Sequence, residues 1–262
     1  MNMKSTRLLF MPVYKKELKT YFISPIAYVI LFIFNLVMGF IAYTLLGYYH
    51  LMSMRANAYP YGGFSLNPTE MLGGPIFHNM AVTSLFMLPL LTMRLFSEEK
   101  KTDTIELLFT YPLRDWDIVW GKFLAVLTIY AVMVGLSAIF FAMAEIWLNF
   151  DKLVILNAYL GLLLLGASFL TAGLFLSALT ENQIVAAVMT FGLLLLFWII
   201  SWVSELAGPR FQEFFTSLSL FEHYDNFPKG ILDTRDIIFY LSFSALFLYL
   251  TLRVLASKRY RG

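Results

Sequence analysis

An all-α integral membrane protein with six transmembrane helices is the fold class the sequence predicts, and three observations predict it. Of its 262 residues, 60% are hydrophobic and only 14% charged, which is more apolar surface than a water-soluble domain of this size buries. Six apolar stretches, about 26–49, 76–95, 123–148, 153–179, 184–206 and 237–256, are each long enough to cross ~30 Å of hydrocarbon. Fourteen of the nineteen Lys and Arg residues lie before span 1, between spans 2 and 3, or after span 6. The positive-inside rule therefore predicts that both termini are cytoplasmic.

The same composition excludes several function classes. A net charge of +2 is too small for nucleic-acid binding to be expected. With no cysteine, the chain has no disulfide, thiol nucleophile or Cys-based metal site. The first apolar run is too long for a signal-peptide core, so span 1 is expected in the mature protein. Gly121-Lys122 lacks the upstream glycine and following hydroxyl residue of a phosphate-binding loop. Ion-coupled carriers and proton relays use charges at depth in the membrane, whereas Arg94, Glu145 and Glu205 fall near span ends. An intramembrane enzyme is equally unsupported. His50, His78 and His223 show no metal-ligand spacing, and no Gly-x-Ser-x-Gly turn is present. No catalytic, cofactor-binding or metal residue is assigned to the chain.

Ahead of span 1, Phe10, Tyr14, Leu18, Tyr21 and Phe22 recur at helical spacing opposite Lys15, Lys16 and Lys19, with Pro12 near the start and Pro25 past the end. This pattern predicts an amphipathic elbow helix at 12–22, the alternative being a plain basic flank attracted to anionic lipid. Loop 50–75 is rich in Gly, Pro and aromatics. It ends in Asn67-Pro68-Thr69-Glu70, a cap, a first-turn proline and a capping-box carboxylate, which predicts a short external helix before span 2.

The segment between spans 2 and 3 is the most charged in the chain. Asp103 and Glu106 have capping-box spacing, Ile105, Leu108 and Phe109 share a face, and Pro112 ends the short helix they define. A second cap at Asp115 launches span 3, with Trp116 and Trp120 at the interface. Such a helix is either a rigid knob that transmits a partner's movement or a well-capped solvated loop.

In span 4, Gly166, Gly173, Ser177 and Thr180 form a stripe of small residues for helix packing, within the chain or across a dimer seam. Glu145 reads as a carboxylate at the outer interface. Between spans 5 and 6, Phe211, Phe214, Phe215, Leu218 and Phe221 predict one or two external helices, which either cap a pathway or bind an accessory protein.

One run is recognisable: Pro89-Leu-Leu-Thr-Met-Arg-Leu-Phe-Ser-Glu-Glu-Lys-Lys-Thr-Asp-Thr-Ile-Glu-Leu-Leu-Phe-Thr-Tyr-Pro112, continued by Arg114-Asp-Trp-Asp-Ile-Val-Trp-Gly-Lys122. With Tyr21-Phe-Ile-Ser-Pro-Ile-Ala-Tyr28, Ser177-Ala-Leu-Thr-Glu-Asn-Gln183 and Phe227-Pro-Lys-Gly-Ile-Leu-Asp233, it resembles the ABC type-2 transporter permease family, particularly its gliding-motility-associated (GldF-like) branch. The resemblance covers nearly the whole chain, as a single permease domain. It implies that segment 97–112 holds a cytoplasmic coupling helix docking on a separate ABC ATPase, with Glu98, Glu99, Lys100, Thr104, Glu106 and Arg114 as coupling residues. Lys101 and Asp103 sit where Arg or Lys and Gly are expected, so Asp103 departs from the pattern. The resemblance also implies ATP and Mg bound only by the ATPase, a second permease copy or homologue, a periplasmic accessory partner, and a bacterial cytoplasmic (inner) membrane location. Its implied activity is export, with force transmission that moves no small substrate as the alternative.

Overall fold

The protein's computed structural model describes residues 10–58, 67–104, 114–206 and 209–259. Among the described residues it is helical without strands, and six helical segments are long and apolar enough to cross a membrane. A helix suits lipid because it satisfies its backbone N–H and C=O groups internally.

Helix α1 (Met11–Ile23) is the elbow, and α2 (Pro25–Ala58) is span 1. Proline makes the bend between them. Pro25 pushes Ser24 out of the helical region to ψ 127, so the chain turns there before Pro25 opens the next helix. Val13, Glu17 and Tyr21 form the buried stripe of α1, whereas Lys15, Lys16 and Lys19 are exposed as the spacing predicts. Phe22, placed on the apolar face by the sequence, is 45% exposed. The buried face turns toward a second membrane helix, which hydropathy alone does not locate.

Asn67-Pro68-Thr69-Glu70 forms the predicted cap: the Thr69 N–H donates to Asn67 Oδ1 at 3.0 Å and Asn67 Nδ2 to Glu70 Oε1 at 3.3 Å. It does not begin a separate helix. A π-helical turn, Thr69–Gly73, runs straight into α3 (Gly74–Thr92), so the cap opens span 2 itself. After a turn at 93–96 comes α4 (Ser97–Lys101). Span 3 starts, as the capping reading has it, beside Asp115, ahead of the apolar run at 123–148, and is broken in two, α5 (Asp115–Leu136) and α6 (Ala138–Ala144). Its N-cap is Arg114 rather than Asp115, and the Arg114 N–H donates to Asp117 Oδ2 at 3.3 Å. The break is at Ser137, whose hydroxyl donates to Val134 O at 2.5 Å, a back-bond that competes with the helix ladder beside Gly135.

Span 4, α7 (Lys152–Leu179), is the central helix; it packs against α3, α5, span 5 (α8, Gln183–Leu206) and span 6 (α11, Thr234–Arg259). Between spans 5 and 6 lie α9 (Pro209–Leu218), α10 (Leu220–Tyr224) and a 3-10 turn at Phe227–Lys229, the short helices expected there. Phe214 and Leu218 are exposed, while Phe221 is buried against Phe169 and Trp198; the Phe211 side chain lies outside the described residues. Glu145, as read, sits at the end of span 3, where Oε2 accepts the Phe150 N–H at 3.2 Å. The Glu205 side chain lies outside the described residues.

The small-residue stripe of span 4 packs within the chain. A Cβ on Gly166 would lie 2.0 Å from the Tyr130 ring, and one on Gly173 would lie 2.2 Å from Thr92 Oγ1. Tyr130 cannot swing away cheaply, because it is buried and its hydroxyl donates to Leu162 O at 3.0 Å. Gly166→Ala is therefore expected to lower stability by about 1–3 kcal/mol through overpacking. Gly192→Ala, where a Cβ meets nothing within 4 Å, is expected to leave it unchanged or slightly raised. Thermal unfolding of the two variants in one detergent checks the contrast.

Candidate functional site

The charged segment that stands out in the sequence meets three other elements where the elbow, span 3 and span 4 end on the same side. Its centre is Lys122, in the second turn of α5. Gly121 makes this position possible, since a Cβ there would lie 2.8 Å from Val13 Cβ and 3.0 Å from Phe10 O, and without one the elbow lies directly on span 3. Lys122, 1% exposed, then reaches Glu17 Oε1 at 2.8 Å, Glu99 Oε2 at 3.0 Å and Leu95 O at 2.6 Å, and sits 5.0 Å from the Phe96 ring centroid. Lys16 closes the cluster at 2.9 Å from Glu99 Oε1. Two ammoniums and two carboxylates balance, which is what lets charge persist out of water.

A second set of bonds ties the same stretch to span 4. Ser177 Oγ accepts the Phe96 N–H at 3.0 Å and the Ser97 N–H at 3.2 Å and donates to Met93 O at 3.1 Å. Lys100 Nζ donates to Ala178 O. These contacts satisfy backbone groups left without partners where α3 ends and α4 begins. A third anchor is Tyr21, whose hydroxyl donates to Leu91 O at 2.7 Å, while Arg94 lies over its ring and donates to Ser24 Oγ at 2.8 Å. Burial pushes the Tyr21 phenol well above its usual range, so it stays a neutral donor.

Of the predicted coupling residues, Glu99 and Lys100 face inward to different partners, Glu99 to the elbow and span 3 and Lys100 to span 4. Glu98 and Thr104 are exposed and line a polar hollow of about 180 Å³ with Lys16, Arg94 and Thr102. Arg114 is exposed at the start of span 3. Glu106, with Ile105, Leu108, Phe109 and Pro112, lies outside the described residues.

The sequence reading missed Glu17 and Lys122, the two residues that join the elbow to span 3. Their signal was present but weak: a lone carboxylate amid elbow lysines, and a lysine directly after a glycine at the start of an apolar run. Asp103 directly precedes helical Thr104, as a cap would, while its capping-box partner Glu106 lies outside the described residues; it also closes the helix before. Its φ of +54 is left-handed, and its N–H donates to Lys100 O at 3.2 Å, the bond of a residue ending the preceding helix. Glycine suits that position because it has no Cβ to strain, which accounts for the departure noted at Asp103.

Residues 11–260 match the family described as ABC-2 family transporter protein. A comparison with curated proteins finds no match.

Two outcomes test this site. Lys122→Met strands Glu17 and Glu99 as buried carboxylates facing only Lys16, and is expected to cost about 3–5 kcal/mol, as breaking a buried pair from one side does; detergent thermal unfolding reads it. Asp103→Gly is expected to raise stability by about 1 kcal/mol by removing left-handed strain, seen as a higher unfolding midpoint in the same assay.

Proposed function

We propose, for a chain that belongs to the ABC-2 family of transporter proteins, a specific route by which force enters it. Membership makes it the membrane-spanning permease component of an ABC transporter, partnered with an ABC ATPase subunit. In the proposed mechanism the elbow side is cytoplasmic, the membrane is the bacterial inner membrane, and segment 97–112 docks on the ATPase, which alone holds ATP and Mg. The observation that carries this reading is the Lys16–Glu17–Glu99–Lys122 cluster together with Ser177. A push on α4 loads the elbow and spans 3 and 4 together through these contacts.

The proposed division of labour follows from exposure. Glu98, Thr104 and Arg114 are the accessible groups that meet the ATPase, whereas Glu99 and Lys100 hold the docking segment to the permease. ATP binding and hydrolysis shift the balance between two permease conformations only as far as docking energies differ between them. A second copy or a homologue completes the assembly, with the pathway between the two. Export is the leading direction. Force transmission to an envelope partner, as in the gliding-motility-associated branch, is the second reading; it is favoured by the rigid clamp and by the external helices at Pro209–Tyr224, which offer a face to a periplasmic protein.

Purification in mild detergent from the native host, with its ABC ATPase, tests the docking reading. Glu98→Lys combined with Arg114→Glu is expected to reduce ATPase copurification several-fold at unchanged permease stability, whereas Glu99→Lys is expected to lower permease stability itself. Unchanged copurification of the double variant would remove Glu98 and Arg114 from the docking surface.

A further inference from the structure

We infer that a groove between spans 3, 4 and 6 seats one phosphatidylethanolamine-type phospholipid, its headgroup held by the Lys152–Glu145 pair on the face opposite the elbow. The groove measures about 880 Å³ and is almost wholly apolar, with Trp120 and Leu127 of α5, Leu160 and Leu164 of α7, and Leu241 and Leu248 of α11 among its walls. Ala131, Ala167 and Ala245 supply short side chains where longer ones would fill it. The hydroxyl of Ser244 is engaged with Ser168 Oγ at 3.3 Å, so the cleft offers acyl chains almost no polar surface. At 1.5 Å per residue it follows α7 for about 16 Å from Leu156 to Ala167 and α5 for about 22 Å from Ala131 to Trp116, so it runs from the Lys152 end toward the elbow side with ample length for acyl chains.

What singles out the occupant is the end of the groove. Leu156 and Tyr159 are walls of the groove and also of a smaller hollow of about 280 Å³ that contains Glu145 and Lys152. The Tyr159 hydroxyl is held against Ser137 Oγ at 3.2 Å, so this shared wall is fixed. Lys152 Nζ lies 3.7 Å from Glu145 Oε1, and its side chain is 84% exposed. The Glu145 carboxylate is oriented from behind, Oε2 accepting the Phe150 N–H at 3.2 Å, which leaves Oε1 facing the hollow's ammonium. One cation and one anion side by side at the mouth of an apolar cleft complement a headgroup that carries both a phosphate and a primary ammonium. The phosphate pairs with Lys152, and the ammonium donates to Glu145. An anionic glycerol headgroup meets Glu145 with no cation to offer it, and a choline headgroup has no N–H to donate.

The seat is independent of the ATPase-docking reading, because its headgroup pair Lys152–Glu145 lies at the end away from the elbow and none of its walls is a coupling residue. Native mass spectrometry of the full chain in detergent micelles tests it. The micelles are doped in turn with palmitoyl-oleoyl phosphatidylethanolamine, phosphatidylglycerol and phosphatidylcholine. One retained phosphatidylethanolamine is expected, favoured about fivefold over the other two, the size of effect one partly exposed ion pair gives. Lys152→Ala is expected to erase that preference while some lipid is still retained. Ala245→Phe or Ala131→Phe, both on the lipid-facing surface, should abolish retention of any lipid at an unchanged unfolding midpoint. Equal retention of the three lipids by the wild type, a preference for phosphatidylglycerol or phosphatidylcholine, or undiminished retention by both groove-filling variants would each overturn the seat and leave only ordinary annular lipid.

Discussion

A lysine held almost entirely out of water at the end of a membrane span is the constraint on which the elbow side of this protein depends. Lys122 keeps its charge there only because Glu17 comes from the elbow and Glu99 from the segment after span 2. Each carboxylate arrives on a different element, so the ion cluster is also a joint. Taking charges out of water is costly unless they are paired, and that cost is what makes the joint hard to open: separating any of the three elements leaves a buried charge without its partner. Gly121 sits beneath the cluster, where the absence of a side chain brings the elbow close enough for Glu17 to arrive.

Span 4 supplies the opposing half of the clamp by a different chemistry. Its stripe of small residues accepts the Tyr130 ring at Gly166 and Thr92 at Gly173, then ends in Ser177, which takes up backbone N–H groups of the turn into α4. Close packing and hydrogen bonding hold helices together in lipid, where no hydrophobic force distinguishes a leucine on a neighbour from a lipid tail. The clamp on the docking segment thus combines an ionic anchor to the elbow and span 3 with a packed, hydrogen-bonded anchor to span 4.

Much of this architecture was legible in the sequence. The six spans follow from length and hydropathy, and the elbow from its lysine-rich face. The cap at Asn67 was read correctly as a cap but not as the start of span 2, because capping chemistry marks where a helix begins and says nothing of how far it continues. Asp103 shows the converse limit. Its spacing to Glu106 reads as the start of a helix, and helical Thr104 follows it; the left-handed backbone shows that it also ends the helix before, a second duty that spacing does not reveal. Periodicity places Phe22 and Tyr21 together on the apolar face, but which flank of that face the protein itself covers depends on the neighbouring helix.

By itself the sequence determined that the chain is a six-helix membrane protein, that its polar chemistry is concentrated around residues 94–122, and that span 4 carries a seam for close approach. Only the tertiary structure decided that Glu99 and Lys100 serve internal anchors while Glu98 stays exposed, and that Lys122 is the hub rather than one more basic residue at the membrane edge. The physical reason is that hydropathy and capping are local properties, readable along the chain, whereas the cost of burying a charge is settled by partners that lie 23 and 105 positions away in sequence and come together only when the elbow folds back onto span 3.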